Sequence, residues 1–259
     1  MRAPQLTSRV ARLVLILLAV GALAGAAQDA VRQTSDLPAA RDVIRRFVTA
    51  IGGGDAVRKY KSRRAIGRFE VPSQGLAGDL EVLAMPPDRQ VVRISLAGLG
   101  DIRNGFDGKV AWLINPMTGP MLLEGQARDH ARMDADFYSE LHDESRFKTM
   151  ETVARTEFEG TPAYKLRLVR ASGEDDIEFF SVDTGLLIGS IISRQSPMGP
   201  MEATSSYSDY KDFGGVLAAA RMRQKVMGVE QVIVITRVEY DTLDEGVFAL
   251  PPQIKALVK

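Results

Sequence analysis

Side chains capable of bond-making chemistry are scarce in this chain, and their spacing argues against catalysis. Two histidines, His130 and His142, and no cysteine occur in 259 residues. Both histidines fall in a stretch read as one amphipathic helix over residues 125–142, where twelve positions set them about 120° apart around the axis. They would not share a substrate or a metal, so each is read as a surface residue or helix-end partner. Ser208-Asp209-Tyr210-Lys211 matches the Ser-x-x-Lys spacing of acyl-serine enzymes, which needs both groups on one face of a helical turn. The flanking alternation reads as a strand, which sends Ser208 and Lys211 to opposite faces. Glu174-Asp175-Asp176 lacks the spaced oxygen ligands of a calcium loop and is read as a solvated turn. Gly52-Gly53-Gly54 follows a helix instead of a strand, so it is a helix stop and not a phosphate cradle. Lys59, Lys61, Arg63, Arg64 and Arg68 make a basic stretch read as a solvated edge, with anionic headgroups or a partner protein as the functional alternative. The expectation is a non-enzyme with no cofactor and no metal.

Composition narrows the partner as well. The chain holds 33 basic and 33 acidic residues, with no basic face of clustered Lys and Arg, which excludes a nucleic-acid binder. Arg2, Arg9 and Arg12 precede the uncharged apolar residues 13–23 and then Ala24-Gly25-Ala26, the three parts of a secretory signal peptide. The apolar run is about half the ~20 residues of a membrane-spanning helix. Cleavage near residue 26 and export to the periplasm is the reading; an uncleaved anchor is the lesser alternative. With no cysteine, the mature chain has no lipid-anchor site and no disulfide. Roughly 230 residues remain, enough for one domain, read as residues 37–259 after a flexible lead-in over 27–36.

The elements that must position any site follow from periodicity. Leu37, Ala40, Ile44, Phe47, Val48 and Ile51 recur at helical spacing, with Asp36 as N-cap, Pro38 in the first turn and the glycine triplet as stop. A short helix from Asp55 follows. From Arg64 the period becomes two. Strands are expected over residues 65–71, 79–84 and 91–96, and on both sides of the Asp107-Gly108 hairpin turn. After the 125–142 helix, with its stripe of Ala131, Met133, Phe137, Tyr138 and Leu141, strands resume from Lys148 to Asp241. The tail over residues 246–252 is expected to end regular structure at its two prolines. Ten or more sequential antiparallel strands with two main helices predict a mainly β, α+β fold: a large curved sheet forming an incomplete barrel that the helices cap.

The helix leading into FVTAIGGGDAVRKYKSRRAIGRFEV resembles the opening of exported proteins related to the outer-membrane lipoprotein-sorting carriers. NGFDGKVAWLINPMTGP is similar to their Asp-Gly hairpin with an aromatic on the return strand. FEGTPAYKLRLV, FFSVDTGLLIGS and YSDYKDFGGVLAAARMR resemble their later strands, and LDEGVFALPPQIK their terminus. The likeness spans nearly the whole mature chain. It implies a half-barrel whose helices cover an apolar cavity for acyl chains or other lipids, and a family that also includes periplasmic sensors.

Alternation nominates the cavity lining: Phe69, Val82, Ile94, Leu96, Phe106, Val110 and Trp112 on the more apolar strand faces, and Met133, Phe137 and Leu141 on the helix stripe. A buried methylene is worth about 0.8 kcal/mol, so a sixteen-carbon chain supplies roughly 10 kcal/mol before ordering costs. Ten methionines suit a site that must repack around variable shapes. Met117-Thr118-Gly119-Pro120-Met121 and Pro197-Met198-Gly199-Pro200-Met201 are read as hairpin turns, with a place at the cavity mouth as the functional alternative. The expected protein is a monomer that encloses lipoprotein acyl chains or another lipid and meets a membrane or envelope protein transiently. The alternative is a sensor or interaction module on the same scaffold with a filled interior.

Overall fold

The computed structural model describes residues 37–196 and 199–258. The leader, the lead-in, the Asp36 cap position and the turn at 197–198 lie outside the described residues. The strands are β1 (Arg63–Val71), β2 (Leu76–Met85), β3 (Arg89–Leu96), β4 (Gly100–Phe106), β5 (Ala111–Asn115), β6 (Gly119–Leu123), β7 (Phe147–Phe158), β8 (Thr161–Arg170), β9 (Asp175–Ser181), β10 (Leu187–Ser196), β11 (Gly199–Phe213), β12 (Val216–Val226) and β13 (Val229–Tyr240). They form one antiparallel sheet in the order β6-β5-β4-β3-β2-β1-β13-β12-β11-β10-β9-β8-β7. The sheet curves without closing into a barrel, as expected. Nearly every strand pairs with its sequence neighbour through a tight turn. The long-range join is β1 with β13, which carries a bulge between Ile66 and Gly67. A bulge raises local twist, and only glycine fits: a Cβ on Gly67 would stand 2.0 Å from the Val234 carbonyl oxygen.

Directly paired residues share a face. The series Gly67–Leu80–Ile94–Ile102 therefore defines an inner face, with Phe106 in the same alternation. Two helices cover parts of it. Helix α1 (Ala40–Ala50) buries Ala40, Val43, Ile44 and Phe47 against Leu166 and Leu168 of β8 and Phe180 of β9. Its N-cap is Ala39 in extended conformation, with Pro38 outside the helix, so it starts three residues later than the spacing predicts. Helix α2 (Gly54–Arg58) begins at the last glycine of the triplet, whose Gly52 and Gly53 adopt positive φ.

Helix α3 (Gln126–Asp134) is half the length expected. The Asp136 carboxylate accepts the Tyr138 N–H, and the Phe137 N–H goes to the Pro87 carbonyl, so the chain leaves the helix after Ala135. Tight 3-10 turns, Ser139–Leu141 and Glu144–Arg146, then lead into β7. Residues 124–146 thus form a strap from one edge strand, β6, to the other, β7, along the inner side.

Strand β6 corrects the reading of 117–121 as a turn. The turn is Pro116-Met117-Thr118, and Gly119 and Pro120 open an edge strand, the place where a sheet tolerates proline. The tail is also corrected: Pro252–Lys255 forms a last helix, α4, with proline in its first turn. Phe248 and Ile254 of this tail pack with Leu83, Val91 and Trp112 on the outer face.

Candidate functional site

Between the C-terminal end of α1 and the inner face, a cavity of about 310 Å³ opens. Phe47 of α1 and Ile51 just beyond its end form its roof, and Ala65, Val82, Met222, Ile233, Ile235 and Val238 its floor. Most of the polar groups on its wall have partners in the protein itself. Tyr210 donates its hydroxyl hydrogen to the Leu187 carbonyl at 2.6 Å, and the hydroxyls of Tyr207 and Ser190 share a hydrogen bond at 3.1 Å. Burial pushes both phenols above their ordinary range. At the mouth, Arg63 meets Glu140 of the strap at 3.0 Å, and Tyr60 stacks on Tyr240 with ring centres 3.7 Å apart. Burial opposes the Arg63 charge, and Glu140 more than offsets it, so the guanidinium stays firmly protonated. The cavity offers a ligand mainly apolar contact.

Of the ten nominated residues, Val82 lines this cavity. Phe69, Ile94 and Leu96 share its face in an adjoining cluster with Leu80, Ile102 and Ile233. Phe106 is on the inner face too, buried beneath Ala131 and Ala135 in and just after α3. Trp112 pairs with Gly105 and so points to the outer face, where only 2% of it is exposed and Val110 joins the same cluster. A Cβ on Gly105 would meet the indole at 2.8 Å. Met133 lines a separate, polar cleft of about 670 Å³ with His130, Arg132 and Glu174. Phe137 is buried beside Tyr138 and the Arg63 guanidinium, and Leu141 packs against the α1 core. The sequence reading missed Tyr207, Met222, Ile233 and Ile235. On β13 the run Val232-Ile233-Val234-Ile235 hides the alternation that would have shown them.

The two histidines fasten the strap. His130 lies 2.6 Å from Glu174, and His142 lies 2.7 Å from Glu178 while its Nδ1 reaches the Glu140 carbonyl at 3.1 Å. His142 is buried, which corrects its reading as a surface residue, and it stands at the end of the Ser139–Leu141 turn, the helix-end alternative. Burial disfavours its charge, but Glu178 outweighs that and raises its pKa above the usual value. The acidic run 174–176 is not a solvated turn either. Asp176 is 1% exposed and bound by Arg170 and by Arg194 at 3.0 Å. These partners are distant in sequence, so no local pattern announces them. Ser208 and Lys211 lie in β11 and are exposed. Among the described residues no group of acidic or histidine side chains could hold a metal ion, and no helix is long and apolar enough to cross a membrane.

No protein-family model and no curated protein matches the sequence. Solved structures do. A LolA superfamily protein from Nitrosomonas europaea is 15% identical with TM-score 0.54, covering 83% of this chain and 99% of its own. A DUF1329 family protein from Desulfovibrio piger is 11% identical with TM-score 0.56, covering 82% and 98%. An outer membrane lipoprotein-sorting protein domain from Vibrio parahaemolyticus is 12% identical with TM-score 0.51, covering 80% and 94%. At such identities the likeness establishes the fold, and that fold is the one the sequence motifs resemble.

Proposed function

We propose that the chain is an exported, soluble, non-enzymatic carrier that encloses acyl chains of lipoproteins or other lipids between α1 and the inner face, for transfer toward the outer membrane. One observation supports this above the rest: a mostly apolar cavity in which the Tyr207, Tyr210 and Arg63 side chains already have partners in the protein. The cavity also favours this reading over a sensor module with a filled interior. Its 310 Å³ sits at the lower end of the ~300–1,000 Å³ of small-molecule sites, so a long chain needs α1 or the strap to shift. The fold shared with lipoprotein-sorting domains agrees with it.

The full chain, delipidated, is expected to take up a fluorescent fatty-acyl probe at one site. Val82→Trp, which fills the cavity floor, is expected to lower that affinity about tenfold or more, the cost of excluding a few methylenes. Probe uptake unchanged by Val82→Trp, or absent with every chain length, would overturn the proposal.

A further inference from the structure

Five large apolar side chains are exposed among the described residues: Leu99, Met117, Met227, Leu257 and Val258. Two are at the chain's end. The other three occupy hairpin turns at one and the same end of the sheet. Chain direction fixes this: the β3–β4, β5–β6 and β12–β13 turns all stand where β1 ends at Val71. In spatial order along that rim come Met117, Leu99, the β1–β2 turn and Met227. At the opposite end the turns present Asp88, Asp107, Lys109 and Asp183; no turn there carries an exposed large apolar residue, and Leu257 and Val258 lie in a groove beside Lys109, each less exposed than the three rim residues.

The way these side chains are held points the same way. Met117 is 86% exposed, Met227 70% and Leu99 45%, each on a turn of two or three residues that lifts it clear of the sheet. Met227 does so in the left-handed conformation, at φ 49°, ahead of Gly228 at φ 81°. Asn-Gly or Asp-Gly is the preferred pair for such a turn. Glu159-Gly160 adopts the same positive-φ pair, but there the side chain is bound by Ser206 at 2.8 Å and Arg223 at 2.6 Å. Met227 accepts the same backbone cost with an apolar side chain in water.

We infer that this rim docks on a lipid bilayer, with Leu99, Met117 and Met227 entering the interfacial region. Single apolar side chains raised on separate turns do not make the continuous patch that a protein partner buries. They do suit a fluid surface into which each can sink on its own. The rim also runs without interruption into the inner face, where Val71, Leu76, Leu96 and Val229 cluster at the same strand ends. Docking there sets the apolar interior against the bilayer. This goes beyond the carrier reading and does not depend on it.

The absence of cysteine allows a clean test. The full chain is labelled with a nitrobenzoxadiazole dye after Leu99→Cys, Met117→Cys, Met227→Cys, Lys109→Cys or Asp183→Cys, one at a time. Phosphatidylethanolamine–phosphatidylglycerol and phosphatidylcholine vesicles are then added. Labels at 99, 117 and 227 are expected to shift to the blue and to be quenched by doxyl lipids; labels at 109 and 183 are not. Leu99→Asp with Met227→Asp should abolish the shift at 117. No shift at the rim, or equal shifts at both ends, would overturn the inference. Because the signal is read at each position, an N-terminal segment that also binds vesicles does not mimic it. Probe uptake in vesicle-free solution reports on the cavity separately, so either proposal can fail alone.

Discussion

The inner face is built of similar side chains along its length, yet its two arms differ in cover. Under α1, Leu166, Leu168 and Phe180 are sealed from solvent by Phe47, Val43 and Ile44. On the other arm, Phe69, Leu80 and Leu96 are buried by their neighbours, whereas Val82, Val92, Ile94, Ile102, Ile233 and Ile235 point to the same side and remain half-buried, with no helix packed on them. Alternation within strands makes both arms apolar; what crosses over them decides whether the result is core or cavity. An eleven-residue helix is too short to cover a thirteen-stranded sheet, and the cavity opens at the limit of its cover, beneath Phe47 and Ile51.

The largest effects should follow cover. Phe180→Ala is expected to cost about 3–5 kcal/mol, transfer plus an unfilled cavity. Ile94→Ala, on the open arm, should cost less than about 2 kcal/mol because its side chain is already partly hydrated. Urea denaturation of both variants measures the difference. Equal losses would mean that the two arms are packed alike and the comparison is void.

The strap gives the next effect, and it depends on pH. Replacing Glu178 by Gln leaves the buried His142 without its carboxylate and should cost about 2 kcal/mol at pH 6. The folded-state pKa of His142 stands above its unfolded value of about 6.5. Its contribution is therefore complete below that pH and is lost as pH rises through the raised value. The Glu178→Gln penalty should shrink from pH 6 to pH 9 when unfolding is followed at both. A penalty that grows with pH would contradict the assignment of charge to His142.

Much of this architecture could be read from the chain because each hairpin is local: period-two alternation and turns such as Asp107-Gly108 name the strands in order. What escaped was decided at a distance. Trp112 looked like lining because alternation separates two faces without saying which is covered from where. Its cover, Phe248 and Ile254, comes from the far end of the chain. Strand β6 was hidden by Gly119 and Pro120, residues that signal a turn unless an edge position is known. The helix stripe ran on to Leu141 in the sequence, yet the Asp136 carboxylate and the Pro87 carbonyl claimed the backbone N–H groups that would have continued α3. Of the cavity lining Val82 was legible in the sequence, and Met222, Ile233, Ile235 and Val238 of β12 and β13 were not; on β13 an unbroken apolar run hides the alternation.

The smallest effect tests the contrast at its limit, with one chemistry in two settings. Arg170 and Arg194 hold Asp176 where no water reaches it, beneath the covered arm. Arg68 and Asp79 make the same kind of pair at 3.1 Å on the outer face, with 52% and 82% of their side chains exposed. Water screens the second pair and holds either charge almost as well when its partner is gone, and ordering two mobile side chains offsets the remaining attraction. A double-mutant cycle of Arg68→Ala and Asp79→Ala should therefore give a coupling below about 1 kcal/mol, falling further at 1 M salt. A coupling of several kcal/mol would show that burial is not what separates the two arms, and the explanation of the cavity by missing cover would lose its physical basis.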